Sequence, residues 1–184
     1  MIRGDSSDYE LLKKWAKGFD CQGYKTCEIG VREGLGSKII MDNVRNNYIH
    51  VGVDPYGNLE YQHYDDTGSY TCDYTDEMRD IMLKDFLPYR NEGKFTLCNM
   101  TDTQFMNATE HKDSKFAFVH FDGPHMTKDV ITEAVWFANR TAPHTRFVFD
   151  DHNKYAMSVI ANLLLYYGFK TKEMGENKCL LEKK

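Results

Sequence analysis

The ten residues from Glu28 to Ser37, which read EIGVREGLGS, decide the fold. A short strand-like run leads into this stretch and a helical pattern follows it, so the stretch is a turn between a strand and a helix. Its three glycines, Gly30, Gly34 and Gly36, let the backbone approach a ligand closely and present N–H groups at the helix start. Their spacing differs from the G-x-G-x-x-G of dinucleotide-binding enzymes. The turn therefore predicts a ligand site of another kind at the end of the first strand.

Strands and helices alternate on both sides of this turn. Five short runs rich in β-branched and aromatic residues are typical of strands buried on both faces: Tyr24–Ile29, Tyr48–Val53, Phe95–Met100, Phe116–Phe121 and Thr145–Phe149. Helical spacing of apolar residues predicts five helices: Ser7–Lys17, Ser37–Asn46, Thr75–Phe86, Thr127–Asn139 and Lys154–Tyr167. Phe169–Met174 and Lys178–Leu181 predict a closing antiparallel hairpin. The alternation indicates one α/β domain over residues 1–184, with a seven-stranded sheet that is parallel except for one strand.

Acidic residues stand near the ends of all five strands. In open α/β sheets, ligands bind in the crevice outside the carboxyl ends of the strands. A single aspartate there is explained by helix capping, but five strand ends in succession predict convergence on one crevice. The residues are Glu28, Asp54, Asp102, Asp122 and the pair Asp150 and Asp151.

Asp54 is the most informative of these acids. It closes the second strand, 24 residues after Gly30. A carboxylate at that place can accept both hydroxyls of a ribose, and Tyr56 just beyond it can lie against an adenine. Together with the glycine turn, Asp54 predicts a nucleoside ligand.

Four motifs carry a family resemblance. The pattern E-x-G-x-x-x-G-x-[GS] after the first strand and VGVDPYG at the second resemble the S-adenosylmethionine fingerprint of class I methyltransferases. FVHFDGPH and FVFDDH resemble, more narrowly, the metal-dependent O-methyltransferases, which include the catechol and macrolide-sugar enzymes. The likeness runs from about Cys27 to Asp151.

The resemblance implies a Rossmann-like, doubly wound sheet and S-adenosylmethionine as cofactor. By that likeness Glu28, Gly30 and Ser37 line the methionine end of the cofactor, Asp54 takes the ribose, and Asp102 or the backbone beside it reads the adenine amino group. The remaining cofactor positions are Gly34, Gly36, Tyr56 and Asp122.

Asp122, Asp150 and Asp151 are candidate metal ligands. Bringing carboxylates to ~4 Å costs on the order of 4 kcal/mol per pair at an effective dielectric of ~20, so a cation is expected among them. Oxygen ligands without cysteine favour Mg²⁺ or another hard divalent cation. In the resembling enzymes the third ligand is often Asn, where this chain has Asp151. Two alternatives stay open: Asp151 caps the following helix, or the enzyme, like many class I methyltransferases, uses no metal.

His125, three residues after Asp122, is the candidate general base. A neutral imidazole can take the proton of a hydroxyl that attacks the sulfonium methyl. Catechol-type enzymes have Lys at the corresponding place, and His there is more similar to the sugar-modifying group, which favours an aliphatic hydroxyl. The alternative is that His125 caps the next helix or is simply solvated. His120, inside the fourth strand, is interpreted as a hydrogen-bonded core histidine.

Residues 55–75 interrupt the pattern. The segment carries five tyrosines without a clear period: Tyr56, Tyr61, Tyr64, Tyr70 and Tyr74. As a functional element it is a lid that contacts the acceptor; otherwise it is an insertion that packs over the sheet edge or between subunits. Because it leaves directly from Asp54, we expect it to border the pocket in either case.

Composition argues against several other classes of protein. The net charge of −5 gives no support for nucleic-acid binding, and no segment approaches the ~20 apolar residues of a membrane span. Five cysteines without C-x-x-C spacing argue against a disulfide framework and a zinc site, so we expect buried thiols, with one reactive thiol as the alternative. The start MIRGDSSDYELLKKW has no signal-peptide core. A cytoplasmic location follows as an expectation, and a homo-oligomer is left open.

The sequence thus predicts an S-adenosylmethionine-dependent O-methyltransferase that acts on a small hydroxylated molecule, such as a sugar, with a divalent metal and His125 as base. Three rivals are kept. The first is a metal-independent class I methyltransferase acting on another nucleophile, the second is a non-catalytic S-adenosylmethionine-binding protein, and the third is a nicotinamide dehydrogenase, which the glycine spacing disfavours.

Overall fold

A computed structural model describes residues 2, 4, 6–46, 48–57, 59–71 and 73–184, with only the backbone at position 70. Seven strands form one sheet, and two short strands form a separate hairpin. The strands are β1 (Lys25–Ile29), β2 (His50–Val53), β3 (Glu60–Gln62), β4 (Ser69–Thr71), β5 (Phe95–Cys98), β6 (Phe116–Phe121), β7 (Thr141–Phe149), β8 (Phe169–Met174) and β9 (Cys179–Lys183).

The order of the large sheet is β5-β2-β1-β6-β7-β9-β8. All neighbouring strands from β5 to β7 pair in parallel, and β9 pairs antiparallel with both β7 and β8. The sheet is therefore parallel except for β9, as predicted. Since the chain moves outward from β1 to β5 and then returns to β6, the direction reverses between β1 and β6, which is where such sheets bind ligands.

Helices cover both faces of the sheet. They are α1 (Tyr9–Ala16), α2 (Leu35–Asn43), α3 (Asp76–Asp85), α4 (Leu87–Asn91), α5 (Asp102–Asn107), α6 (Thr127–Ala138) and α7 (Met157–Leu165). Two clusters of buried side chains fill the layers, one between the sheet and α5, α6 and α7, the other between the sheet and α1, α2 and α3. The doubly wound α/β architecture is confirmed.

β6 shows why these runs form central strands. All six of its residues, FAFVHF, are buried, with Phe116, Phe118 and His120 wholly inaccessible to solvent. A strand with neighbours on both edges and helices on both faces has no place for exposed side chains. Its register puts His120 beside Glu28 of β1, which carries a polar group into the middle of the sheet.

Several element boundaries differ from the prediction. α7 begins at Met157 rather than at Lys154, because residues 151–156 form turns. The short helices α4 and α5 were not predicted, and neither was the hairpin of β3 and β4 inside the tyrosine-rich insertion. Elements of three to six residues are too short to show a period.

Four of the five cysteines, Cys21, Cys27, Cys98 and Cys179, are buried free thiols, which agrees with the prediction; Cys72 lies outside the described residues. Within the part of the chain that the structure describes, none of the helices combines the length and the apolar composition needed to cross a bilayer.

Candidate active site

β1 and β6 end side by side at the reversal point of the sheet. Gly30, directly after β1, has a φ of 82°, and a Cβ there would lie 2.0 Å from the main-chain oxygen of Asp122. Only glycine fits where the two strand ends approach each other. A Cβ at Gly36 would lie 1.9 Å from the Glu28 carboxylate. The glycines that were expected to make room for a ligand are thus required first by the protein's own packing.

Two adjoining cavities open at this edge, of about 700 and 680 Å³ including space open to solvent. What we call the acidic cavity is lined by carboxyl and imidazole groups, which include Glu28, Asp122, His125, Asp150 and Asp151. The second, the apolar cavity, has walls that include Ile29, Val53, Pro55, Leu59 and Pro124, with Asp54 and Asp102 at its edge. Gly30, His63, Tyr74 and Asp122 line both cavities. The structure therefore brings all the strand-end acids to one crevice.

Asp54 presents one unpartnered oxygen at the apolar cavity. Its Oδ2 accepts hydrogen bonds from the backbone N–H groups of Val31 and Arg32, both at 2.8 Å. Its Oδ1 is buried and has no hydrogen-bond partner in the described part of the chain. Burial raises the pKa of Asp54 to about 6, against the lowering effect of the two backbone hydrogen bonds. One oxygen, rather than the two expected, is thus left without a partner in the described part of the protein.

Asp102 also lines the apolar cavity. It is the first residue of α5, whose N-cap Thr101 forms a capping box with Gln104. Behind it, the side chain of Glu133 is buried and is hydrogen-bonded to Asp102. Burial, followed by the Asp102 charge, raises the pKa of Glu133 well above its usual range.

Three predicted cofactor residues lie elsewhere. Tyr56 turns into the core, where its hydroxyl donates to the main-chain oxygen of Arg32, so it lines neither cavity. Gly34 lies against Phe86, outside the lining of both cavities. Ser37 is wholly buried behind Glu28. Gly34 and Ser37 face inward because the glycine turn packs against the core there, and Tyr56 does so because its hydroxyl bonds the turn; a contact of these three with the cofactor stays a prediction.

Glu28 has both carboxylate oxygens engaged by the protein. Its Oε1 lies 2.7 Å from Nδ1 of His120, and its Oε2 accepts a 2.5 Å hydrogen bond from Ser37. The chain of contacts continues from Ser37 to His50 at 2.8 Å and from His50 to Thr26 at 2.8 Å. His120 is thus the hydrogen-bonded core histidine that was predicted. Glu28 acts first as an internal acceptor that fixes the glycine turn to β6.

Lys178 extends this polar chain into the acidic cavity. Its side chain is wholly buried, and its Nζ lies 3.2 Å from Nε2 of His120 and 2.7 Å from Oδ1 of Asp150. Burial alone would raise the pKa of Asp150, but the Lys178 ammonium and a hydrogen bond from Asp122 hold it well below its usual range. Burial and the Asp150 charge raise the pKa of Asp122 well above its usual range. The close contact of the two carboxyl groups beside Lys178 thus moves their pKa values in opposite directions.

The predicted magnesium ligands come together but do not fit the ion as they stand. Asp122 and Asp150 are hydrogen-bonded to each other, and Asp150 is paired with Lys178. Asp151 accepts a hydrogen bond of 3.0 Å from the Tyr64 hydroxyl. In the described residues, the set of three ligand atoms within 4.8 Å of one another is instead Glu28, His120 and Asp122, of which the first two already bind each other. The positive charge expected among these carboxylates is supplied by an ammonium group.

His125 lies against the tyrosine-rich insertion. Its Nδ1 is 3.2 Å from Nε2 of His63 and 3.7 Å from Oδ2 of Asp151, and its ring stacks on Tyr64 and Tyr155. Its Nε2 is buried with no hydrogen-bond partner among the described residues. Burial, followed by the neighbouring His63, lowers the pKa of His125 to about 3, so the imidazole is neutral at pH 7.

The insertion borders the pocket, as expected from its departure at Asp54. The backbone N–H of His125 donates to the carbonyl of His63 at 2.8 Å. Asp65 accepts from the backbone N–H and the hydroxyl of Thr127 at 3.0 and 2.5 Å. Tyr61 lines the apolar cavity, Tyr64 the acidic cavity and Tyr74 both; the side chain of Tyr70 lies outside the described residues.

Lys178, His63 and His50 were missed by sequence reasoning. Lys178 stands directly before the buried run of β9, and the sequence gives no sign that this lysine faces inward. His63 belongs to a segment with no period. His50 is the first residue of β2, and a single histidine at the start of a strand gives little indication that its imidazole faces the core. The predicted acidic cluster required a nearby cation, and this requirement could have pointed to a buried lysine such as Lys178.

A family model described as "Methyltransferase domain" matches residues 27–152. No curated protein sequence matches the chain. The matched range begins in β1 and ends just after β7, so it contains the glycine turn and all the strand-end acids.

Solved structures share the fold at low identity. An O-methyltransferase from Bacillus cereus in complex with S-adenosylhomocysteine is 10% identical to this chain. The match covers 98% of this chain and 83% of the Bacillus cereus chain, with a TM-score of 0.64. The O-methyltransferase TomG from Streptomyces achromogenes, in complex with S-adenosylmethionine, is 10% identical, with coverages of 99% and 81% and a TM-score of 0.68. A methyltransferase from Geobacter sulfurreducens is 12% identical, with coverages of 100% and 82% and a TM-score of 0.64.

Proposed function

The chain belongs to the methyltransferase-domain family, and we propose that it transfers a methyl group from S-adenosylmethionine to a hydroxyl group of a small molecule. The solved O-methyltransferases with this fold that are bound to S-adenosylmethionine or S-adenosylhomocysteine support the choice of cofactor. A sugar hydroxyl is the first acceptor to test, because His125 stands where the sequence resembles the sugar-modifying enzymes. The cytoplasmic location stays a prediction.

The single observation that carries the proposal is the free oxygen of Asp54. A buried carboxylate oxygen without a donor is costly unless a ligand supplies one. Asp54 directly follows β2, beside the glycine turn, and lines a cavity with apolar walls. A ribose hydroxyl donating to Oδ1 would satisfy it, while the adenine occupies the apolar cavity near Asp102 and the methionine end passes Gly30 toward the acidic cavity.

The acidic cavity would receive the acceptor. Its hydroxyl proton passes to Nε2 of His125, whose Nδ1–H is donated to His63. The hydroxyl oxygen forms a bond to the methyl carbon, the carbon–sulfur bond breaks, and its electron pair stays on sulfur, which leaves neutral S-adenosylhomocysteine. The protein's main contribution is to hold oxygen, methyl carbon and sulfur in line.

Magnesium at Asp122, Asp150 and Asp151 stays a prediction, and the ion pair between Lys178 and Asp150 favours the metal-independent form of the same reaction. No step above depends on a metal. Bound magnesium would act as a Lewis acid on the acceptor oxygen.

Calorimetry with S-adenosylhomocysteine tests the proposal, with Asp54→Asn as the variant. An asparagine has one oxygen, which can serve either the Val31 and Arg32 amides or the ribose, but not both. Losing a hydrogen bond to a charged group costs about 1.5–3 kcal/mol, so affinity should fall roughly 10- to 150-fold. The exposed Asp113→Asn is the matched control and should bind as the wild type does.

Two results would count against the proposal. If the wild type does not bind S-adenosylhomocysteine, or if Asp54→Asn binds it equally well, the cofactor site is wrong. If the cofactor binds but labelled methyl is transferred only to amines, or to no member of a panel of hydroxylated acceptors, the O-methyl assignment fails and a rival replaces it.

A further inference from the structure

We propose that Lys178 is the resident cation of the acidic cavity, so that its ammonium group holds Asp150, and through it Asp122, in the place expected for a divalent metal. The inference rests on the proposed function, because it concerns how the same cavity balances its charge during methyl transfer. Lys178 would be a positioning residue, since it acts through the aspartates and not on the reacting atoms.

The burial of Lys178 is the first observation. Lysine is almost never fully buried unless it is paired, yet the Lys178 side chain is inaccessible to solvent. Its Nζ contacts the Asp150 carboxylate at 2.7 Å, Nε2 of His120 at 3.2 Å and the Ser6 hydroxyl at 3.1 Å. These three polar atoms surround the ammonium group, and its contact with Oδ1 of Asp150 is an ion pair without hydrogen-bond geometry. The site is therefore built for this cation.

The chain also fixes Lys178 from the other side. The Asp8 carboxylate accepts hydrogen bonds from the backbone N–H groups of Asn177 and Lys178, at 2.8 and 3.3 Å. The Lys178 Nζ lies 5.1 Å from the centroid of the Tyr9 ring, within the range of a cation–π contact. The segment from Ser6 to Tyr9 thus holds both the backbone and the ammonium of Lys178. The side chain cannot leave without breaking these contacts.

A metal would have to compete with this ammonium for the same carboxylates. A magnesium ion binds carboxylate oxygens at about 2.0–2.1 Å, and the Lys178 Nζ is already 2.7 Å from Oδ1 of Asp150. Two cations beside one buried carboxylate repel each other strongly, because little water separates them. The ammonium therefore excludes a divalent ion from Asp150 as long as Lys178 is in place.

The ion pair also supports the surroundings of the candidate base. The main-chain oxygen of Asp150 accepts a hydrogen bond of 2.8 Å from the Tyr155 hydroxyl, and the Tyr155 ring stacks on His125 with centroids 5.8 Å apart. Fixing Asp150 thus fixes the ring on which His125 lies. Loss of the cation should reduce kcat more than it changes the affinity for the cofactor.

The test is a calorimetric titration with Mn²⁺ of the full chain without added cofactor. The wild type should show no site of sub-millimolar affinity, and its methyl transfer should be unchanged in EDTA. Lys178→Met removes the charge at similar length, and Mn²⁺ affinity should then rise at least about tenfold, since a repulsive cation is gone. Lys178→Arg keeps the charge and should bind no better than the wild type. The exposed Lys170→Met is the control and should also behave as the wild type.

Thermal unfolding covers the case in which Lys178→Met folds poorly. Mn²⁺ should raise the Tm of this variant, because the ion replaces the missing charge, and leave the Tm of the wild type unchanged. Tight Mn²⁺ binding by the wild type that Asp150→Asn abolishes would overturn the proposal, as would a Lys178→Met variant that gains neither affinity nor Tm from Mn²⁺. Failure of the wild type to bind S-adenosylhomocysteine would instead overturn the proposed function, since these metal readouts do not require the cofactor.

Discussion

The two cavities at the reversal point of the sheet handle their polar groups in opposite ways. At the apolar cavity, Asp54 keeps one oxygen without a partner in the described residues, and the neighbouring walls are mostly apolar. At the acidic cavity, Glu28 is bonded to Ser37 and His120, and Asp150 is paired with Lys178. The first cavity thus leaves a buried carboxylate oxygen unpaired, whereas the second pairs most of its carboxyl groups within the protein.

This difference separates binding from chemistry. An unsatisfied group gains most from a ligand, so changes at Asp54 should act on cofactor affinity. Groups that are already paired hold a geometry, so changes in the acidic cavity should act on stability and on turnover. Two atoms there also lack a hydrogen-bond partner in the described residues: Nε2 of His125 and Oδ1 of Asp150, which is engaged only in the ion pair with Lys178.

The largest expected effect is at His125. In His125→Gln, kcat should fall about 10²- to 10⁴-fold, which is the usual contribution of general-base catalysis. Affinity for S-adenosylhomocysteine should stay within about twofold, because His125 lines only the acidic cavity and not the apolar cavity. The measurements are methyl-transfer kinetics and calorimetry.

The control for this variant is His144→Asn, at an exposed position of positive φ that asparagine tolerates. It should leave both kcat and affinity unchanged. A loss of kcat below about tenfold in His125→Gln would remove His125 as the base, since such an effect is too small for a lost proton acceptor.

Asp150→Ala should produce the next largest effect, on stability. It leaves the buried Lys178 ammonium without its carboxylate, and breaking a buried ion pair in this way costs about 3–5 kcal/mol. Asp151→Ala, whose side chain is 21% exposed and loses one hydrogen bond from Tyr64, should cost only about 1 kcal/mol. Urea unfolding of both variants measures the contrast. Equal losses of the free energy of unfolding would show that the acidic cavity does not depend on its internal ion pair.

The smallest effect is the pH dependence of binding at Asp54. Since burial raises its pKa to about 6, the carboxylate is protonated below that pH and no longer accepts well from a ribose. Affinity for S-adenosylhomocysteine should be about tenfold weaker at pH 5 than at pH 7. The free energy of unfolding of the unliganded protein has the opposite pH dependence. Folding raises the pKa of Asp54 from 3.8 to about 6, so the contribution of this group to stability is lost as the pH rises through about 6.

Asp54→Asn is the control for the pH series. Its affinity should be low and independent of pH between 5 and 7, because the titrating group is gone. A wild-type affinity that is flat over the same range would contradict the assignment of Asp54 to the ribose.

The central sheet could be predicted because its strands are buried on both faces. The run Phe116–Phe121 was predicted with the bounds it has, and the hairpin strand Phe169–Met174 likewise. Strand-end acids such as Asp54 and Asp122 could be placed at one crevice because parallel strands end at the same edge. These features follow from local composition and from the rules of chain crossover.

What could not be predicted depends on long-range docking. Lys178 and His63 reach the site from the closing hairpin and the insertion, and nothing in their neighbouring residues says what they contact. Tyr56 was predicted near the adenine from its place after Asp54, but a hydrogen bond to the Arg32 carbonyl turns it into the core. Position along the chain fixed the neighbourhood of Tyr56 and not its direction.

The contacts that hold Lys178 in place have a consequence for comparing relatives. The domain match covers residues 27–152, which includes every carboxylate of the crevice. Ser6, Asp8, Tyr9 and Lys178 all lie outside it. Two homologues could therefore align without a gap through the shared region and still differ in mechanism. One would use the ammonium group of a lysine, and the other would depend on a bound metal ion. The residues that decide between them would lie in the flanking segments, outside the matched range.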